Sequence, residues 1–551
     1  LKMTHAMPSP TALDRSTNRR RPLRRTLRAA ALAVLVASQA LVSPAAHAQL
    51  LPGMGDGGEM TAAAERRLGD QIARELYRDP DYIDDPVLVD YVQSIWQPLM
   101  AAARVRGELT PELDERFAWQ VLLGRDRSIN AFALPGGYLG VHLGLIAATD
   151  SRDELATVLG HELSHVTQRH IARIMAKQSR DMPLMLAALV LGMIAATKSR
   201  NGDAGQAVIM GSQAMAMQNQ LNFSRDMERE ADRVGFGVMT QAGFAPQGAA
   251  SMFEKLQYAS RLNDNGSYPY LRSHPLNSER ISDMQARFQF RGEGAAPEDA
   301  SAGMGLAGAV RPLAPRANDA PALRMDHAIV AARARVLSRP GVDLLRLWVD
   351  AASGMEFSRR SPAQQAGMLA AAALAANELR DQRAARVLSD RLTTLAAADP
   401  EAARLARLLS AELYLAAGAA PQAAALLDVR AKTRAEMLLA AQASIATRKP
   451  EPAVAPLRDW VATHPRDAGA WRMLSSLYNA QNDPLRAIRA DAEANVAVLD
   501  YAGARDRFKA AQEIAARGTG GVVDHYEASI IDTRARAVEA LLRDQRAEPP
   551  L

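Results

Sequence analysis

Apolar and polar residues alternate at helical spacing along most of this chain. The pattern predicts an amphipathic helix from Thr61 to Leu76 and a second from Pro86 to Arg104. Between them and the next helical stretch the period shortens. Phe117 to Leu123 is β-like, and Asn130 to Leu134 with Tyr138 to His142 flank Pro135-Gly136-Gly137 as a short hairpin. A capping box then opens a helix. Ser151 is placed to cap, Glu154 can reach back to it, and the helix should run from Arg152 into the Arg173 to Lys177 region. Further helices are expected at Leu184 to Thr197, Gly205 to Arg233 and Pro246 to Gln257.

The composition changes around Arg291 to Pro321, where Gly, Ala, Pro and Ser dominate without periodicity, as in a linker. Beyond it, from Ala322 to Arg546, the chain is almost wholly Ala/Leu/Arg-rich helix. Trp471, Leu474, Tyr478, Ala487 and Ala494 fall at the offsets of a helix-turn-helix repeat of about 34 residues, and Ala453 and Pro465 fit the preceding unit. Tyr414, Ala423 and Leu427 give a looser third unit. The region reads as tetratricopeptide-like repeats that stack into an α-solenoid, because one unit cannot bury its apolar face alone.

Charge alters the picture only at the N-terminus. The formal net charge is +5, but residues 1–48 hold eight basic side chains against the single acid Asp14, so the rest of the chain is close to neutral. The Arg-rich stretch precedes an apolar run from Ala29 to Val42 and the small-residue motif Ala46-His47-Ala48. That order predicts a cleavable export signal. Basic charge confined to a leader gives no support for nucleic-acid binding. The expected organisation is a signal (1–48), a catalytic domain (49–290), a linker (291–321) and a repeat domain (322–546). There is no cysteine, so thiol catalysis and Cys-ligated zinc are excluded; any ion must be held by His, Asp or Glu.

The candidate chemistry lies in His161-Glu162-Leu163-Ser164-His165. Four residues apart on a helix, His161 and His165 can converge on one ion, with Glu162 able to reach a water bound to it. A third ligand is needed, and Glu228-Arg229-Glu230-Ala231-Asp232 supplies candidates on a second helix. Glu228 and Asp232 share a face, so Glu228 can ligate while Asp232 orients a ligating imidazole. Glu230 points elsewhere and reads as a surface charge. His142 and His170 have nothing to fix them on the ion; His327, His464 and His525 read as structural or solvated.

HExxH followed by ExxAD resembles the gluzincin metallopeptidase family that includes the CAAX prenyl proteases. Asn130-Ala131-Phe132-Ala133, His274-Pro275 and Arg280 agree with it. The leader and the repeats resemble, within it, a branch of periplasmic proteases that assist β-barrel assembly at the bacterial outer membrane. The resemblance implies a mainly α fold: a gluzincin-type protease domain with a small β-sheet, then repeats. It implies one Zn2+ held by His161, His165 and Glu228, with Glu162 and Asp232 as catalytic residues and Arg280 near the same cleft. From spacing alone His274 could equally be a turn histidine before Pro275; the resemblance implies a regulatory fourth ligand that can block the water site.

The implied substrates are misassembled outer-membrane proteins, with the β-barrel assembly machinery docked through the repeats. A lid from Leu184 to Leu221, including Met210, Met215 and Met217, is expected over the groove. Its apolar run Leu184 to Ala196 is too short to span a bilayer, which leaves membrane-surface contact as the other use. The competing class is a non-catalytic periplasmic chaperone or scaffold working through the repeats. A prenyl-protein protease lacks support, since the chain has no set of membrane helices to enclose a lipidated substrate.

Overall fold

The computed structural model describes residues 60–177, 224–261, 269–292, 323–517 and 524–548. The expected leader, the lid with its methionines and nearly all of the linker lie outside them. Among the described residues no helix is long and apolar enough to cross a membrane. The architecture is mainly α, with a small four-stranded sheet near the start and helical repeats after residue 323.

The chain opens with α1 (Ala62–Arg78) and β1 (Tyr82–Ile83), then α2 (Pro86–Val105), which starts at Asp85 with Pro86 in the first turn. A short α3 (Pro111–Arg116) leads to β2 (Gln120–Gly124), β3 (Ala131–Leu134) and β4 (Tyr138–His142). β3 and β4 form the antiparallel hairpin that Pro-Gly-Gly predicts, with Gly136 and Gly137 at φ 72° and 84°. Only glycine takes both positions without strain, and a Cβ on Gly136 would fall 2.7 Å from Arg66 Cα of α1.

The sheet order is β1-β2-β4-β3, and β2 runs parallel to β4. β4 is therefore interior, and the edge nearest the candidate site is β3 alone. Of the two hairpin strands, only β3 lies at an edge of the sheet among the described residues.

After α4 (Leu143–Ala148) comes α5 (Arg152–Thr167), the helix of the HExxH segment. Ser151 caps it by accepting from the Glu154 amide at 3.1 Å. The reciprocal half of the expected box differs. Glu154 accepts from Asp150 N–H at 2.7 Å and from Lys255 Nζ at 2.7 Å, so its carboxylate ties α5 to a neighbouring helix. α5 is buried on every side, from Glu154 to Thr167, as a helix through the middle of a core must be.

The expected continuation into Arg173–Lys177 is broken. Arg169 takes φ 52°, and the chain restarts as α6 (His170–Lys177). The left-handed residue is held from outside the helix by an ion pair from Arg169 Nε to Glu65 at 3.1 Å and by a bond to the Met60 carbonyl. Then follow α7 (Arg225–Gln241), α8 (Gln247–Arg261), α9 (Tyr270–Ser273) and α10 (Ser278–Gly292).

The repeat half comprises α11 (Met325–Leu337), α12 (Val342–Ala351), α13 (Pro362–Glu378), α14 (Gln382–Ala396), α15 (Pro400–Ala416), α16 (Ala420–Ala425), α17 (Arg434–Ala446), α18 (Glu451–Thr463), α19 (Ala468–Ala480), α20 (Pro484–Ala497), α21 (Tyr501–Arg517) and α22 (His525–Ala547). Trp471, Leu474 and Tyr478 on α19 pack with Ala453, Ala487 and Ala494 in one apolar cluster.

The first of these helices share a core with the elements before residue 293. A single apolar cluster runs from Ala62 through Ile95 and Leu159 to Leu374 and Leu439. Buried polar groups reinforce that joint. His327 takes Tyr91 Oη at 2.5 Å and the Thr149 carbonyl at 2.8 Å. Arg333 reaches Asp85 with Nε at 2.8 Å and Nη2 at 2.6 Å, and Glu412 with Nη1 at 2.7 Å.

Candidate metal centre

Two helices approach unusually closely to build the centre. Gly160 on α5 faces Gly235 on α7, and a Cβ on Gly235 would fall 2.9 Å from the His161 amide nitrogen. The missing side chains bring the HExxH helix and the ExxAD helix within ligand reach of each other. α7 begins at Ser224, whose hydroxyl accepts from the Met227 amide. Glu228 thus sits near the positive end of that helix, which favours a carboxylate.

The ligand atoms of His161, His165, Glu228 and His274 lie within 4.8 Å of one another, and all four residues are buried. His161 Nε2 and His165 Nε2 face each other at 3.0 Å. Glu228 Oε2 lies 3.5 Å from His161 Nε2, and Glu228 Oε1 lies 3.5 Å from His165 Nε2. His274 inserts beside them, with Nδ1 2.9 Å from Glu228 Oε1 and Nε2 3.3 Å from Glu162 Oε1. It follows α9, whose Tyr270 ring lies 4.7 Å from the His274 ring.

These atoms fit a cation. His161 Nδ1 is 3.0 Å from Asp232 Oδ1 and so carries its proton there, leaving Nε2 as a lone pair. Two imidazole nitrogens at hydrogen-bond distance need something positive between them. Among the described residues, no aligned hydrogen-bond donor reaches the buried Glu162 Oε1, and none that is aligned reaches the buried Glu228 Oε2, although Arg280 Nη1 lies 2.7 Å from it. A buried carboxylate oxygen without a donor is expensive unless an ion takes the place. The donor set of two imidazoles and a carboxylate, with no sulfur, suits zinc.

The electrostatics separate the two carboxylates beside the imidazoles. Burial alone would raise Glu228, yet His274 and His161 hold it well below its ordinary value. Burial dominates at Glu162 and pushes its carboxyl up, against the pull of His274 and His161. One group stays ionised and the other is tuned toward proton transfer. Burial would likewise lower His161, but hydrogen bonds to Asp232 and Glu228 raise it to about 10, a pull on positive charge that an ion on Nε2 would satisfy in a proton's place, while burial and positive charge at His161 drive His165 well below the imidazole range.

Arg280 lies behind this set. Its Nε and Nη2 grip Asp232 at 2.7 and 2.8 Å, and its Nη1 is 2.7 Å from Glu228 Oε2 and donates to the Pro275 carbonyl at 2.9 Å. The guanidinium is fully engaged with two site carboxylates and the turn that carries His274.

Two residues that sequence reasoning set aside join the centre. The break at Arg169 turns His170 back, so that its Nδ1 lies 2.8 Å from His165 Nδ1 and its ring is fully buried. Glu230 is no isolated surface charge, since its Oε2 lies 3.1 Å from His170 Nε2 and accepts from Arg173 Nη1 at 2.8 Å. Helical spacing pointed His170 away because it assumed one unbroken helix. Tyr270 also went unmarked, and no spacing rule would have found it. The histidines read as structural or solvated lie elsewhere. His142 bonds Ser128 at 2.9 Å, and His464 stacks on Trp460.

The match to a known family falls on the same part of the chain. Residues 89–288 match the model of peptidase family M48, a span that holds β2 to β4 and α3 to α9. The chain is 37% identical over 243 residues to a Vibrio cholerae protein named putative beta-barrel assembly-enhancing protease, covering 43% of this chain and 47% of that one. It is 33% identical over 273 residues to the beta-barrel assembly-enhancing protease of Escherichia coli (strain K12), covering 48% and 53%. The mitochondrial metalloendopeptidase OMA1 of Arabidopsis thaliana is 33% identical over 168 residues, 30% of this chain and 31% of that one. The chain spans about half the length of the beta-barrel assembly-enhancing relatives it matches.

Proposed function

We infer that this chain, a metalloprotease whose residues 89–288 form a peptidase family M48 domain, is a zinc-dependent endopeptidase of the bacterial periplasm that cleaves misassembled outer-membrane proteins. The carrying observation is the convergence of His161 Nε2 and His165 Nε2, 3.0 Å apart, beside Glu228 and Glu162 in a buried site. The names of the Vibrio and Escherichia relatives support the link to β-barrel assembly.

In this reading His161, His165 and Glu228 hold the ion, and His274 occupies or leaves a fourth position. Zinc supplies a water of lowered pKa and polarises the scissile carbonyl. Glu162 does the proton work. Its Oε2 accepts from the Ala133 amide at 2.9 Å, so the carboxylate is fixed to β3 and Oε1 is the oxygen left to take the water's proton and pass it to the leaving amine. Asp232 sets the His161 tautomer, and Arg280 holds Asp232 and Glu228 in register. An extended substrate adds to the free edge of β3, where backbone bonds lay it across the centre. The Ala133 amide is already taken by Glu162, so the substrate uses the other groups of Ala131 to Leu134. The repeats dock the client or the outer-membrane assembly machinery.

Metal analysis of the purified chain, paired with casein digestion with and without chelator, tests this. About one zinc per chain and chelator-sensitive cleavage are expected. A chain that binds no metal and digests nothing ends the proposal.

A further inference from the structure

The two imidazoles of the HExxH segment are backed differently. His161 Nδ1 meets the Asp232 carboxylate directly. His165 Nδ1 meets another imidazole, His170 Nδ1, at 2.8 Å, and His170 Nε2 meets Glu230 Oε2 at 3.1 Å. Arg173 Nη1, 2.8 Å from the same oxygen, anchors the far end.

With both rings neutral, only one arrangement of protons satisfies this row. A carboxylate accepts, so His170 must carry its proton on Nε2, which leaves Nδ1 as a lone pair. His165 must then donate from Nδ1, which leaves its Nε2 bare and facing His161 and Glu228. The reverse arrangement puts a bare nitrogen against the Glu230 carboxylate and a proton on the very atom that would bind the ion. Which ring nitrogen ligates is set by the bond that the other nitrogen makes.

We propose that His170 and Glu230 are positioning residues for His165: Glu230 fixes the tautomer of His170, and His170 in turn holds the His165 Nε2 lone pair toward the metal. The inference rests on the metalloprotease reading of the same site. The bend at Arg169, φ 52° and tied to Glu65, is what makes the pair reachable, since on an unbroken α5 His170 would point away. Each helix of the centre thus carries three working acids or bases: His161, Glu162 and His165 on α5, and Glu228, Glu230 and Asp232 on α7. The ExxAD helix supplies Asp232 behind one imidazole and Glu230 behind the other, with Glu228 between them on the ion.

The test is zinc affinity of the full chain by competition against a chromogenic chelator, with the visible spectrum of the cobalt-substituted protein as a second readout. His170→Ala should weaken zinc about 10–100-fold. His170→Asn, whose Oδ1 can accept from His165 Nδ1–H much as the lost ring nitrogen did, should recover most of that loss. Glu230→Ala, at a partly exposed position that leaves the core intact, should weaken zinc by a smaller factor and shift the cobalt spectrum in the same direction as His170→Ala. Should His170→Ala fail to fold, Glu230→Ala decides.

Wild-type affinity and spectrum in both alanine variants overturn the proposal. Equal losses in His170→Asn and His170→Ala overturn it too, because they assign His170 to packing alone. A wild-type chain that binds no zinc strikes instead at the reading of the site.

Discussion

Two ionic clusters, one at the candidate metal centre and one at the joint to the repeats, both pair an arginine with Asp and Glu side chains and do opposite things. At the joint, Arg333 is enclosed by Asp85 and Glu412, and each carboxylate oxygen of both acids has a guanidinium donor. Asp85 also accepts from the Leu88 amide at 2.9 Å, as the cap of α2. Nothing is left over, and the cluster holds three helices together. At the centre, two imidazole nitrogens face each other and two carboxylate oxygens lack an aligned donor among the described residues. Complete pairing makes a fastener, and incomplete pairing makes a place for something else.

The sharpest break in the comparison removes the proton carrier without touching a ligand. Glu162→Gln should keep the metal and lower peptide cleavage about 10²–10⁴-fold, measured as initial rates on casein beside metal content. A biological effect that survives this change belongs to the repeats acting as a scaffold.

At the joint the corresponding change is Arg333→Ala, which strands the buried Asp85 carboxylate and the half-buried Glu412. It should cost about 3–5 kcal/mol of stability by urea unfolding while zinc affinity per folded molecule stays the same. Loss of both together would mean that the joint and the centre are one cooperative unit.

A smaller effect is expected where the ligand helices meet. Gly235→Ala places a methyl 2.9 Å from the His161 amide nitrogen and should cost about 1–3 kcal/mol while weakening zinc, because α5 and α7 must part. A thermal melt with and without zinc separates the two losses.

The smallest effect concerns acid. Burial alone would raise Asp85, but Arg333 and the Leu88 amide hold it below its ordinary 3.8. A carboxyl with a depressed folded pKa contributes stability that is present above the unfolded value and is lost as the pH falls through the folded one. The advantage of the parent over Asp85→Asn in urea midpoint should therefore be constant down to about pH 5 and shrink below pH 3.8.

Legibility in the sequence followed the range of the interaction. Four-residue spacing is enough to bring His161 and His165 to one face of α5, and Glu228 and Asp232 to one face of α7. The Pro-Gly-Gly turn and the Ser151 cap are equally local. What went unread depends on distant contacts. The bend at Arg169 has no propensity behind it, since arginine does not favour a positive φ; Glu65 and the Met60 carbonyl impose it. The parallel pairing of β2 with β4 leaves no mark on either strand. Nor does anything in Met325 to Leu439 announce that its alanines and leucines would be buried in one core with Ile95 and Leu159.

On the proposed reading, the bond from Ala133 to Glu162 makes the general base a passenger of β3, an edge strand of the sheet. Any tilt of that strand re-aims the proton-accepting oxygen in the same motion. In that reading docking geometry and reactivity are mechanically geared, so a poorly seated chain would turn the base away from the bond it should cut.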